Sequence, residues 1–96
     1  MTTKVKQLAN NQFIINEGDI EWLQSYDSII VKRYYEFHKG SNGSKDIYEP
    51  FIYLDKKYWN YSKTTSKYRN KFLGEKTKET QAKIDSGEYT LTDLNQ

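Results

Sequence analysis

The chain has 96 residues, a net charge of +2 and a mean hydropathy of −0.99, with 35% apolar and 16% aromatic residues. It contains no cysteine, which excludes disulfides, thiolate zinc sites and thiol catalysis. No stretch approaches the ~18 consecutive apolar residues of a membrane-spanning helix.

A chain this short is expected to fold as one domain over residues 1–96, since either half alone is too small for a core. Low hydropathy by itself would suggest disorder. Nine tyrosines, four phenylalanines and two tryptophans argue instead for an aromatic core, because hydropathy scales undercount the area a tyrosine buries. The opening "MTTKVKQLANNQFIINEGD" lacks a long apolar run, so neither a signal peptide nor an anchor is expected there. The expected setting is a soluble protein of a reducing cytoplasm with no membrane contact.

In chain order, residues 1–10 are expected to be loosely held. Asn11–Asn16 and Asp19–Ser25 are short strand candidates joined around Glu17-Gly18. Ser25–His38, rich in β-branched and aromatic residues, predicts a longer strand. "HKGSNGSKD", residues 38–46, is the clearest loop. Ile47–Asp55 predicts the returning strand of a hairpin, with Pro50 placing it near an edge or bulge. "KKYWNYS" continues as a short strand after a turn at Asp55-Lys56. Thr64 or Thr65 can cap a helix. Its apolar stripe is Tyr68, Phe72 and Leu73, and Gly74 is its stop. A second short helix starts at Thr77 and ends before Gly87. "EYTLTDL" adds a last strand or an extended tail. The class is α+β: an antiparallel sheet of three to five strands with one or two short helices on one face. Ile29, Val31, Phe51, Tyr53, Trp59, Phe72 and Leu73 are expected to be largely buried.

The charge is segregated. Residues 1–55 balance to −2, residues 56–78 to +7 and residues 79–96 to −3. The central block interleaves basic and aromatic side chains in "YWNYSKTTSKYRNKFLG". It can be a core edge under lysine stems, or a surface that holds an anionic partner. Helical spacing turns Lys63, Lys67, Arg69 and Lys71 away from the Tyr68–Phe72 stripe. These four, with Tyr58 and Tyr61 as available rings, are the candidate partner-binding residues. Reversing Lys67 and Arg69 to Glu is therefore expected to leave stability nearly unchanged. Trp59 reads as core. "SKTTS" (Ser62–Ser66) reads as helix capping rather than an anion site. His38 reads as a surface residue without a carboxylate partner. Asp19 with Glu21, and Asp46 with Glu49, read as solvated acids, with no calcium-loop spacing. No phosphate loop, nucleophile elbow or metal-binding helix is present. The expected class is a binding protein with no catalytic, cofactor or metal residue.

"SYDSIIV", "YLDKKYWNYSKTTSKYRNKFLGE" and "SGEYTLTDLN" together resemble a family of small accessory proteins carried by bacteriophages and plasmids. The resemblance covers roughly Ser25–Asn95. It is most specific at Trp59–Ser62, Thr64–Asn70 and Phe72–Gly74, and weakest over residues 1–21 and the 36–50 segment. It implies a mobile-element accessory protein that binds and inhibits or modulates a host protein or nucleoprotein complex. An anti-defence inhibitor of the anti-CRISPR kind is its sharpest form. The competing expectation is a nucleic-acid-binding module using residues 56–78, against which the acidic flanks count.

Overall fold

The computed structural model describes residues 3–41, 43 and 45–95. Five strands follow one another: β1 (Lys4–Ala9), β2 (Gln12–Glu17), β3 (Ile20–Ser25), β4 (Ser28–His38) and β5 (Ile47–Asp55). Each pairs antiparallel with the next. The first three turns hold only two residues each, and one residue in each is left-handed: Asn11 (φ 61°), Gly18 (φ 62°) and Tyr26 (φ 55°). Glycine and asparagine adopt this conformation readily, whereas a tyrosine does so at a cost. Tyr26 is held there by hydrogen bonds on both sides, from its amide to the Asn11 carbonyl (2.6 Å) and to its carbonyl from Gln24 Nε2 (2.7 Å).

The chain then leaves the sheet. Helix α1 spans Lys63–Leu73 and α2 spans Thr77–Asp85. It returns as β6 (Thr90–Thr92), which pairs parallel to β5. The sheet is thus six-stranded and mixed, in the order β1-β2-β3-β4-β5-β6. This confirms the α+β class and enlarges the expected three to five antiparallel strands at both edges. The first ten residues contribute the edge strand β1. A parallel return requires a long crossover, which the two helices supply.

Local differences have local causes. The Tyr26-Asp27 turn divides the expected strand Ser25–His38. Residues 56–62 are turn rather than strand, because the buried Asp55 accepts the amides of Lys57 (3.0 Å) and Tyr58 (2.9 Å) and bends the chain. The cap of α1 is Ser62, not a threonine: its Oγ accepts the Thr65 amide at 3.1 Å. Gly74 ends α1 in the left-handed conformation, as expected. Within the loop after His38, Asn42 and Ser44 lie outside the described residues.

The core lies between the sheet and the helices. Leu23, Ile30, Val31, Leu54, Phe72 and Tyr89 are buried there, with Ile14, Ile52, Trp59, Leu73 and Ile84 packed around them. A β-bulge opposite Leu23/Gln24 explains the run Ile29-Ile30-Val31. The extra residue lets Ile30 and Val31 both reach the core, while Ile29 turns to the other side of the sheet. Of the seven residues expected to be buried, Val31 and Phe72 are. Ile29, Phe51, Tyr53, Trp59 and Leu73 are only partly covered. Ile29, Phe51 and Tyr53 fall short because they point from the sheet face that carries no helix.

Candidate functional site

Helix α1 carries the expected basic face. Lys63, Lys67 and Lys71 recur every four residues, so they form one ridge, stepping about 6 Å along the axis. All three are exposed, and none forms an ion pair among the described residues. The first turn of α1 holds no acid, so nothing offsets the positive end of the helix dipole. Tyr68 lies half-buried beneath the ridge, its ring centroid 5.5 Å from Lys67 Nζ and 5.4 Å from Lys71 Nζ. The aromatic ring therefore supports the ammonium groups rather than anchoring the helix.

Arg69 does not belong to this face, contrary to the sequence expectation. The stripe that α1 buries is Thr65, Arg69 and Phe72, at spacings of four and three residues, which places Arg69 squarely on the inner side. Its side chain is fully buried. Nη1 donates to the Trp59 carbonyl, Asn60 Oδ1 (3.2 Å) and Ser66 Oγ (3.5 Å). Nη2 donates to Asn70 Oδ1 (3.0 Å) and Thr77 Oγ1 (2.6 Å). Its guanidinium carbon stands 5.1 Å from the centroid of the Trp59 ring. Burial pushes the Arg69 group below its usual range, and the nearby Glu75 partly restores it. One guanidinium thus ties the 56–62 turn, α1 and the start of α2 together. Its role is structural, and the partner-binding set contracts to the lysines.

Tyr58 and Tyr61, the two candidate rings, come together in the 56–62 turn as an edge-on pair 5.4 Å apart. With Tyr26 they wall a cleft of about 290 Å³ beside the α1 N-terminus, floored by Ser25, Ser62 and Thr65. Ser25 Oγ and Thr65 Oγ1 share a hydrogen bond of 3.1 Å. Tyr61 is 70% exposed and Tyr26 54%. The cleft offers rings and hydroxyls next to the lysine ridge, a combination fitted to noncovalent recognition. Tyr26 was not singled out in the sequence, since its exposure follows from a turn that the run "SYDSIIV" conceals.

Two titratable clusters lie elsewhere. His38, expected to lack a carboxylate partner, sits between two: its Nε2 is 3.4 Å from Glu36 and 3.1 Å from Glu49. The hairpin register places Glu36 opposite Glu49, which sequence spacing alone could not reveal. Glu75 is the other. Its Oε1 accepts from Lys83 Nζ (2.8 Å) and Tyr89 Oη (2.8 Å), and its Oε2 from Thr80 Oγ1 (2.6 Å). Burial raises the Glu75 carboxyl, but these donors outweigh it and hold the group below the ordinary carboxylate range. The Lys83 ammonium is correspondingly held above its usual range by the hydrogen bond to Glu75. This network fastens α2 to the segment entering β6. Among the described residues, no three His, Cys, Asp or Glu side chains are placed to hold a metal ion, and no helix is long and apolar enough to cross a membrane.

Residues 1–88 match the family described as Family of unknown function (DUF8033), and the chain belongs to that family. No curated protein and no solved structure matches it.

Proposed function

We propose, for this member of the DUF8033 family, that it works by binding and not by catalysis. Its α1 face docks on an acidic surface of a larger protein complex and blocks or modulates it. The observation that carries this reading is the ridge of Lys63, Lys67 and Lys71, exposed and without an ion-pair partner among the described residues, beside the Tyr26–Tyr58–Tyr61 cleft. Exposed lysines steer association with an acidic partner. Tyrosines supply large contact area at low entropic cost. The resemblance to mobile-element accessory proteins supports an anti-defence inhibitor as the specific form, with the target a host complex met in the cytoplasm.

The second reading is a nucleic-acid module using residues 56–78. It is supported by Tyr61, whose exposed ring stands two residues before Lys63. Stacking on such a ring contributes ~1–3 kcal/mol per base.

A tagged pull-down with and without nuclease separates the two readings, followed by titration of Lys67→Glu/Lys71→Glu against the recovered partner and against single-stranded and duplex DNA. Retention of a protein partner after nuclease, with at least ~10-fold weaker binding of the double variant, supports the protein-docking reading. Binding that survives the reversal unchanged removes the ridge from the contact surface.

A further inference from the structure

The sheet face opposite the helices is largely apolar, and its side chains are only partly covered. The pairing registers align Val5, Ile15, Trp22, Lys32, Tyr53 and Thr90 in one row across all six strands. Ile20, Tyr34 and Phe51 form a neighbouring row. Phe13 and Ile29 lie on the other side of the first. None of these apolar residues packs against the core cluster, which draws only on the helix side of the sheet. A continuous apolar face of this kind marks a contact surface.

Its charges say what kind of contact. Lys32 is the only Lys or Arg among the strand residues of this face. It is held over two rings, with Nζ 5.3 Å from the Trp22 centroid and 5.7 Å from that of Tyr53. The other charge-bearing groups on the face are Glu17 beside Ile20, and Glu36 opposite Glu49 where the β4–β5 hairpin extends beyond β3. The His38 imidazole sits between that pair, 3.4 and 3.1 Å from its carboxylates, so the carboxylates outnumber the bases. Glu17 forms no ion pair among the described residues. It stands at a shallow hollow of about 320 Å³ whose other walls are Ile15, Trp22, Ile29 and Leu94. A lysine or arginine stem fits apolar walls of this kind while its charged head meets the carboxylate.

We infer that this face is a second docking surface whose occupant is an amphipathic segment of a partner protein, presenting Lys or Arg among aliphatic residues. Nucleic acid is disfavoured because Glu17, Glu36 and Glu49 would repel phosphates. A second copy packed face to face is disfavoured because Lys32 stands in the middle row, so a two-fold through that row would bring the two Lys32 ammoniums together near the axis. The molecule is then two-sided, with a basic helix face and an acidic–apolar sheet face on opposite sides.

The test uses the full chain and three probes: an amphipathic helical peptide of leucine and lysine, the same pattern in leucine and glutamate, and a 15-nucleotide oligothymidine. Calorimetry gives affinities, and chemical-shift changes at the Trp22 indole and Ile15 methyls locate the contact on the native protein. The expected result is binding of the Leu/Lys peptide with shifts at Trp22 and Ile15. Glu17→Lys/Glu49→Lys should weaken it at least ~10-fold, while Lys67→Glu/Lys71→Glu leaves it unchanged. The inference is overturned by equal binding of the Leu/Glu peptide, by oligothymidine shifting the same residues, by self-association through this face, or by no shift at Trp22 with any probe. The α1 variant serves here as the control, so the helix-face and sheet-face readings can fail independently.

Discussion

Replacing Arg69 with alanine should bring the protein close to unfolding, although a basic residue on a short helix is ordinarily dispensable. The guanidinium is fully buried and donates to five acceptors from Nη1 and Nη2, while its Nε finds no partner among the described residues. Hydrogen bonds to a charged group contribute ~1.5–3 kcal/mol each, but these five share one charge whose desolvation opposes them. Truncating one partner of such a buried network costs ~3–5 kcal/mol. Here that cost includes the orphaned Trp59 carbonyl and the void left by the largest fully buried side chain. Against a total stability of ~5–14 kcal/mol for a chain of this length, about 4 kcal/mol is a large fraction. With a urea slope near ~1.5 kcal/mol per molar, the unfolding midpoint should fall by roughly 2–3 M. Lys67→Ala, on the exposed ridge, should change stability by less than ~0.5 kcal/mol. Equilibrium urea unfolding followed by circular dichroism reads both. A midpoint shift below ~0.5 M for Arg69→Ala would return the guanidinium to solvent and restore it to the binding face.

The Asp55 and Glu75 carboxyls are both raised by burial, but stronger donors hold them below the ordinary carboxylate range near pH 4. The unfolded chain therefore takes up these protons first. Their stabilisation is complete above about pH 5 and is lost as the pH falls through the native values. Acid-induced unfolding should be less steep in Asp55→Asn than in the wild type, and a fluorescence titration from pH 6 to pH 2 shows whether it is. Gly74 has φ +71° and nothing within 4 Å of the place a Cβ would occupy, so Gly74→Ala should cost only the conformational ~1 kcal/mol. A loss above ~2 kcal/mol would reveal a steric term. The Gln12 amide is fully buried without a hydrogen-bond partner among the described residues. Gln12→Met should thus be neutral or stabilise by up to ~1 kcal/mol. A destabilisation beyond ~1 kcal/mol in thermal unfolding would mean that the amide is satisfied.

The sequence made the middle of the fold legible because its signals were local. Gly18 at a two-residue turn, β-branched runs flanking a glycine-serine loop, and Gly74 after a helical stripe each act within a few residues. What it concealed depends on distant partners. The strand Lys4–Ala9 is mostly exposed, so it carries little apolar alternation, and only its pairing with β2 makes it a strand. The parallel placement of Thr90–Thr92 follows from the crossover, which no local pattern encodes. The candidate site divides in the same way. The lysine ridge was readable from spacing. Arg69 is hidden from such spacing because a tyrosine reads as the inward anchor of a helix, whereas here Thr65 is the small buried residue that sets the helix phase.

The clasp formed by Leu94 and Asn95 bears on how the protein loses its structure over time. The Asn95 side-chain amide meets Ile29 as a neighbouring strand would, accepting from its amide at 2.6 Å and donating to its carbonyl at 2.8 Å. The Leu94 amide reaches Asp55 Oδ1 at 2.8 Å. These contacts join residues 66 and 39 positions apart, whereas β1 to β5 zip up through successive hairpins. Loop-closure entropy favours the neighbouring hairpins forming before such long-range contacts, and the prediction is that the Asn95 bonds form after the folding barrier. Asn95→Ala should accordingly raise the unfolding rate and leave the refolding rate nearly unaltered in stopped-flow measurements. The persistence of the native state, more than its speed of assembly, is then sensitive to one asparagine hydrogen-bonded to both backbone groups of Ile29.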